Sequence, residues 1–143
     1  IHHCMRSIGK AEKALELMVK RSATRVAFGK PIAKLGKNLE VISRARIEID
    51  AMRLMVLQAA KAMDVLGNKE ARVYVSAVKA MVPEKVCLII DQAIQMHGAT
   101  GISQWSPLAN MYTDMRHLRF ADGPDEVHHM VVGRAEIQKY DLW

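Results

Sequence analysis

Three glycine-containing loops hold the residues of this chain that are best suited to bind a ligand or to accept a proton. The loops span residues 25–32, 95–101 and 120–126, and each lies where a predicted helix begins or ends. Glycine has no Cβ, so it lets a flat or phosphorylated ligand approach the backbone closely. Each loop alone is a weak signal, because glycine is also the residue with which many helices end.

Asp122 is the candidate proton acceptor of the third loop, which reads Phe-Ala-Asp-Gly-Pro-Asp-Glu over residues 120–126. Such a side chain can act as a general base if it faces a cleft. The alternative is a cap at the start of the last helix, where the helix dipole favours anions and where Asp125 and Glu126 are expected as solvated first-turn acids. The residues alone favour the capping role.

Positive charge is concentrated at the start of the chain. The net charge is +6, and residues 1–37 contain nine Lys and Arg against two Glu, whereas the remaining residues contain 12 basic and 13 acidic side chains. A cationic segment attracts phosphate, so a nucleotide cofactor, a phosphate-bearing coenzyme and nucleic acid are all candidate partners. Aromatic residues for base stacking do not accompany the basic ones, and a solvated helix face is the simplest interpretation.

The cysteine and histidine pattern does not indicate a metal site. Cys4 and Cys87 are too few for a disulfide framework, favour a reducing compartment and are expected to be buried thiols. Glu126 and His129 have the Glu-x-x-His spacing of di-iron bundles, but residues 114–117 give only an imperfect second copy. A di-iron site would need this pattern twice, together with two further glutamates, so we expect no metal.

Helical periodicity runs through most of the chain. Half of the residues are hydrophobic and 25% are charged, which is typical of a globular protein and excludes a disordered one. Asn38 and Ser106 are predicted N-caps, Pro124 a first helical residue, Gly67 part of a stop, and Pro83 the site of a kink. The predicted helices span residues 3–26, 39–66, 70–97, about 108–118 and 124–138.

These elements predict an all-α fold. Long antiparallel helices would form an up-down four-helix bundle with an additional short helix, as one domain over residues 1–143. No apolar run approaches the ~20 residues that cross a bilayer. The chain begins within a helical pattern and lacks a signal peptide, so we expect it to be a fragment of a longer protein.

Together and in this order, the three loops resemble the C-terminal helical domain of the acyl-CoA dehydrogenase family. That domain typically has Arg-x-x-Phe-Gly-Lys after its first long helix, Gln-x-x-Gly-Gly-x-Gly after the third, and Tyr-Glu-Gly-Thr at the start of the last. The Asp-Gly-Pro version is similar to a branch found in multidomain proteins that carry a phosphotransferase-like domain. In this chain the motifs read Arg25-Val-Ala-Phe28-Gly29-Lys30, Gln95-Met-His-Gly98-Ala99-Thr-Gly101 and Ala121-Asp122-Gly123-Pro124.

The resemblance implies a flavoenzyme that removes the α and β hydrogens of an acyl-CoA thioester, with transfer of the β hydride to FAD. Asp122 occupies the position of the family's catalytic glutamate, and Gly123 would lie against the bound thioester. Because Asp is one methylene shorter than Glu, its carboxylate lies ~1.5 Å further back unless the loop or the acyl chain shifts. Burial between flavin and thioester would raise the pKa of Asp122.

The resemblance also implies two groups of FAD contacts. One group, in the first two loops, would reach the FAD of a neighbouring subunit, and the other would lie near the subunit's own FAD. Here Ala99 replaces a glycine and Pro124 replaces a threonine of the family motif. The first group is Arg25, Phe28, Gln95, Met96, His97, Gly98 and Ala99, and the second is Pro124, Asp125 and Glu126.

Partners and location follow from the same resemblance. It implies an acyl-CoA substrate, electron-transfer flavoprotein as redox partner, and a homodimer or homotetramer formed through the helical domain. It implies a mitochondrial location, with the peroxisome as the alternative. The competing hypothesis is a non-catalytic bundle whose cationic first helix binds a protein or nucleic acid.

Overall fold

The computed structural model describes residues 1–142, and nearly all of its regular structure is helical. This confirms the predicted all-α class. One hairpin of two-residue strands, which the sequence did not predict, follows the first helix. The elements are α1 (His2–Thr24), β1 (Val26–Ala27), β2 (Lys30–Pro31), a 3-10 turn (Ile32–Lys34), α2 (Asn38–His97), α3 (Ala99–Ile102), α4 (Leu108–His117) and α5 (Asp125–Gln138).

Helix α2 contains the second and third predicted helices, joined across a sharp break at Gly67. Gly67 has φ 79° and ψ 172°, a backbone conformation that is essentially restricted to glycine. The break reverses the chain, because Glu48 and Lys85 form an ion pair at 3.6 Å across it. A straight helix would hold these two residues about 55 Å apart. Residues 38–66 and 68–97 are therefore two antiparallel arms, and the predicted stop at Gly67 is confirmed.

The core lies between α1, the two arms of α2, and α4. The three-and-four spacing of apolar residues on each helix places one stripe inward, as the periodicity predicted. Large side chains with less than 2% exposure fill it, and they come from all four segments. These residues include Ile8, Met18, Ile49, Met52, Val56, Val78, Val82, Val86, Ile90, Leu108 and Leu118.

Three apolar residues that follow the three-and-four spacing, and that this spacing places inward, are exposed. Leu39 and Leu66 are 65% and 49% exposed because they lie at the two ends of the first arm. Val127 of α5 is 45% exposed, since α5 packs mainly against α2 and buries only Asp125. The periodicity therefore identified the helices correctly but overestimated how much of α5 is covered.

Helix boundaries differ from the predicted ones by one or two residues. α1 ends at Thr24 because the strands β1 and β2 pair directly after it. Asn38 is the first residue of α2 and not its cap, and its side chain donates a 2.7 Å hydrogen bond to the Ile32 carbonyl. Pro124 is the N-cap of α5 and not its first helical residue. Pro83 is buried and keeps helical dihedral angles, so the abrupt break in α2 lies at Gly67.

The N-cap of α4 is Pro107 and not the predicted Ser106, although the Ser106 hydroxyl accepts a hydrogen bond from the Leu108 amide at 3.3 Å. An ion-pair network joins α1 to the first arm of α2, where Glu12 accepts from Arg46 at 2.6 Å and from Arg53 at 2.7 Å. These hydrogen bonds lower the pKa of Glu12 to about 2.

Within residues 1–142, no helix combines the length and the apolar character needed to cross a membrane.

We expect Gly67→Ala to destabilise the bundle by about 1–3 kcal/mol, because alanine rarely adopts this backbone conformation. A Cβ at this position would contact nothing within 4 Å, so the effect isolates the backbone. Gly133→Ala in α5 is the matched control, since its Cβ also lies in open space and alanine favours a helix. Urea unfolding followed by circular dichroism measures both, and equal stabilities for the two variants would contradict the prediction.

Candidate functional site

The loop between α4 and α5 presents Asp122 at the start of the last helix. Asp122 and Gly123 both have positive φ, 55° and 97°, which turns the chain sharply before α5. Aspartate tolerates this conformation better than most residues with a side chain. A Cβ on Gly123 would lie 2.9 Å from the His128 ring, so the packing also requires glycine there.

Two side chains from neighbouring helices hold the carbonyl groups of this loop. Lys79, only 5% exposed, donates from Nζ to the carbonyls of Leu118 at 2.6 Å and Gly123 at 3.2 Å. His128 donates from Nε2 to the Asp122 carbonyl at 3.0 Å, and its Nδ1 lies 3.2 Å from the Ser76 hydroxyl. Lys79 and His128 therefore hold the backbone of the loop on both sides of the Asp122 side chain.

The Asp122 carboxylate points toward the start of α1. Its Oδ2 lies 2.5 Å from His3 Nε2, and Arg6 Nη2 lies 2.8 Å from His3 Nδ1. The hydrogen bond with His3, with a smaller effect from the Lys79 charge, lowers the pKa of Asp122. The expected increase in this pKa is not found, because the side chain is 75% exposed in this structure.

Asp125 does not behave as the solvated first-turn acid that the sequence suggested. It is 6% exposed, and its Oδ2 accepts a 2.7 Å hydrogen bond from Arg119 Nε, which raises the pKa of Arg119. Its Oδ1 is buried and lacks a hydrogen-bond partner within residues 1–142. Glu126 is exposed, as expected. Asp125 therefore anchors the loop to α5, which leaves Asp122 and Glu126 as the open carboxylates.

The first-loop residues predicted to contact FAD lie on the β hairpin. Arg25 is exposed, and its carbonyl accepts a 2.9 Å hydrogen bond from the Ile32 amide, which closes the hairpin. Phe28 and Gly29 form the turn, with φ of 53° and 77°. Positive φ at both central residues is the mark of the tight hairpin turn that matches strand twist. It leaves the Phe28 ring 93% exposed at the tip.

The second predicted loop closes the far end of α2. Gln95 and Ala99 are exposed, and Gly98 reverses the chain with φ 60°. His97 donates from Nδ1 to the Ala93 carbonyl at 2.7 Å. Met96 is a core residue, so its side chain faces the bundle and only its backbone is available to a ligand.

The candidate residues form two separate groups. Val41, near the start of α2, and Gln92, near its end, line the same surface cleft, so the two ends of α2 lie side by side. The hairpin is close to them, because Asn38 at the start of α2 binds the carbonyl of Ile32, the residue after the hairpin. Asp122 instead contacts His3 at the opposite end of α1 from Arg25. These two α1 positions are about 33 Å apart. The first group offers a guanidinium, an exposed amide and glycine backbone, a donor set that fits the phosphates of FAD.

Sequence reasoning missed the side chains that position Asp122. Lys79 carried a usable signal, because a lone lysine stands in the apolar stripe formed by Val75, Val78 and Val82. His3 carried none, since 119 residues separate it from Asp122. Cys4 and Cys87 are buried as expected, and burial raises the pKa of both thiols. In the part of the chain that the structure describes, no cluster of three potential metal ligands is found.

We expect Lys79→Met to lower the free energy of unfolding by about 1–3 kcal/mol, because the Leu118 and Gly123 carbonyls lose their charged donor. Residues 118–124 should also show faster backbone hydrogen exchange, measured by mass spectrometry. Lys85→Met is the matched control, since its half-exposed ion pair with Glu48 contributes only about 0–1 kcal/mol. Unchanged exchange of the loop in Lys79→Met would show that Lys79 does not hold it.

Comparison with known proteins identifies the family. Residues 1–137 match the family model described as acyl-CoA dehydrogenase, C-terminal domain. The chain is 50% identical over 139 residues to "Probable acyl-CoA dehydrogenase FadE2" of Mycobacterium tuberculosis, which covers 97% of this chain and 34% of the relative. It is also 50% identical over 138 residues to acyl-CoA dehydrogenase family member 10 of Mus musculus, which covers 96% of this chain and 13% of that relative.

The fold agrees with these matches. The solved structure of butyryl-CoA dehydrogenase from Megasphaera elsdenii superposes with a TM-score of 0.86 at 28% identity, over 94% of this chain and 35% of that protein. The chain thus spans about a third of the length of that enzyme and of FadE2. The sequence, the fold and the order of the three loops agree, and the chain belongs to the acyl-CoA dehydrogenase family as its C-terminal helical domain.

Proposed function

We propose that this chain is the C-terminal part of a FAD-dependent enzyme that converts acyl-CoA thioesters to 2-enoyl-CoA, as in fatty-acid oxidation, with Asp122 as the base. The observation that carries the proposal is the Asp122 carboxylate, exposed at the entry to α5 on a loop whose carbonyls are fixed by Lys79 and His128. The names of the relatives support the substrate class, and the position of Asp122 supports its role as proton acceptor.

The residues of the loop would have different roles in the removal of hydrogen from the thioester. Asp122 has a lowered pKa and is therefore ionised at neutral pH, so it can accept the α proton of the thioester. Gly123 has no side chain and lets the thioester approach the backbone. Arg119 and Asp125 hold the loop against α5 through their ion pair. FAD, when bound, supplies the acceptor for the β hydride.

The hairpin and the Gln95 loop form the second part of the proposal. Arg25, Phe28 and the backbone of residues 95–99 would bind the phosphates and the adenine end of a neighbouring subunit's FAD, while residues 124–126 lie near the subunit's own FAD. The separation of Asp122 from Arg25 along α1 supports two different cofactors. This arrangement requires a homodimer or homotetramer, and electron-transfer flavoprotein would reoxidise the flavin.

The chain would hold only part of each active site, since it spans about a third of FadE2. We therefore propose that the catalytic protein includes the remaining part of such a relative. A mitochondrial location, with the peroxisome as the alternative, stays a prediction that subcellular fractionation would test. The competing binding-module hypothesis loses support because residues 1–137 match the acyl-CoA dehydrogenase C-terminal domain.

In the complete enzyme we expect Asp122→Asn to slow flavin reduction by at least ~10², because the amide keeps the shape but lacks the basic lone pair. Stopped-flow absorbance of the flavin measures the rate, with whichever of butyryl-, octanoyl- and palmitoyl-CoA bleaches the parent fastest. Asp91→Asn, on an exposed position of α2, is the matched control. Asp125→Asn should slow the reaction far less, although it removes the buried partner of Arg119. Parent-like flavin reduction in Asp122→Asn would place the base elsewhere.

Arg25→Ala should loosen FAD in the complete enzyme, because one charged hydrogen bond to phosphate contributes about 1.5–3 kcal/mol. FAD retention during dialysis, followed by flavin absorbance per protein, measures the change. Lys37→Ala, an exposed cation beyond the hairpin, serves as control. Retention equal to the parent in Arg25→Ala would remove this residue from the cofactor site.

A further inference from the structure

Two side chains of α1, His3 and Arg6, form a chain of hydrogen bonds that ends on the Asp122 carboxylate. Arg6 Nη2 lies 2.8 Å from His3 Nδ1, and His3 Nε2 lies 2.5 Å from Asp122 Oδ2. His3 and Arg6 are one helical turn apart, so both side chains lie on the face of α1 that meets the loop. Neither residue has a role in the function proposed above.

The chemistry of these groups fixes the direction of each hydrogen bond. A guanidinium can only donate, so Nδ1 of His3 must accept with its lone pair. The ring proton of neutral His3 then lies on Nε2 and is donated to Asp122.

The contact also distinguishes the two carboxylate oxygens. His3 occupies Oδ2, which restricts rotation of the Asp122 side chain and leaves Oδ1 open to a substrate. Such restriction matters here because the side chain is 75% exposed and would otherwise sample several orientations. Proton transfer requires hydrogen-bond reach, and aspartate has little reach to spare.

We propose that His3, held at Nδ1 by Arg6, is a positioning residue that holds Asp122 with Oδ1 directed at the α carbon of the substrate. This inference rests on the proposed function. In the step it supports, the α C–H bond breaks and its proton forms an O–H bond on Oδ1. The electron pair of the broken C–H bond would form the new α,β double bond, while the β hydrogen would leave as hydride and transfer two electrons to the bound flavin. His3 donates to Oδ2 before and after the transfer.

Charged and titratable groups of three helices surround Asp122. Lys79 of α2 and His2 of α1 both lower the pKa of Asp122, and His128 of α5 binds its carbonyl. His3 supplies the hydrogen bond to Oδ2. Arg6 carries its charge one ring further from the carboxylate, where solvent screens it.

The test uses the complete FAD-loaded enzyme and stopped-flow flavin reduction at saturating acyl-CoA, with the acyl-CoA that bleaches the parent fastest. We expect His3→Leu to reduce the limiting rate at least ~10-fold, with less than ~3-fold change in the half-saturating acyl-CoA concentration. His3→Gln should restore the rate to within ~3-fold, since its amide can donate to Asp122 and accept from Arg6. His129→Leu, an exposed histidine of α5, is the matched control.

Nitrogen NMR of the same enzyme, labelled with ¹⁵N-histidine and without substrate, provides a readout that is independent of activity. The His3 signals, assigned by their loss in His3→Gln, should show a protonated Nε2 and an unprotonated Nδ1 at neutral pH. A protonated Nδ1 in the parent at neutral pH would overturn the proposal, as would parent-like flavin reduction in His3→Leu. If Asp122→Asn also reduces flavin at the parent rate, the proposed function itself fails. A slow Asp122→Asn beside a fast His3→Leu overturns only the role of His3.

Discussion

The reversal of α2 at Gly67 is the constraint on which the rest of the structure depends. As one straight helix, its 60 residues would extend for about 90 Å and could not enclose a core. Folded back, the two arms give α1, α4 and α5 a surface on which to pack. A single glycine conformation therefore determines whether the long apolar stripes of the sequence face each other or face water.

The second determinant is the placement of a cation inside the bundle. Lys79 comes from the buried stripe of the second arm, and its ammonium group binds two carbonyls of the Asp122 loop instead of a carboxylate. Burying a charge is favourable only where polar partners replace water. Backbone carbonyls supply those partners here, so the hydrogen bonds that Lys79 needs also fix the loop. The position of the second arm of α2 therefore determines the position of the candidate base.

The helices and most of the core were predictable because they follow from local spacing. Ile8 and Met18 on α1, or Leu108 on α4, needed only the three-and-four period to be placed inward. Asp125 was misjudged because a first-turn acid has the same local pattern whether it faces water or pairs with an arginine of the preceding loop. Its partner, Arg119, lies across a loop whose shape depends on tertiary contacts.

The candidate site shows the same division. The three glycine loops and Asp122 were accessible from motif order, and the family that this order predicted is confirmed. The contact of His3 with Asp122 joins the start of the chain to its last quarter, and no periodicity or motif indicates such a pairing. What the sequence lacked was the relative placement of helices, which is decided by the combined packing of many side chains.

Helix α1 links the two groups of candidate residues and, as a continuous helix, fixes the distance between them. His3 lies near its first turn and Arg25 directly after its last, so their separation is counted in whole residues. Inserting or deleting one residue within α1 would change the distance by only about 1.5 Å but would rotate one end against the other by about 100°. Substitutions along α1 therefore keep the relative orientation of His3 and Arg25, whereas an insertion or deletion changes it.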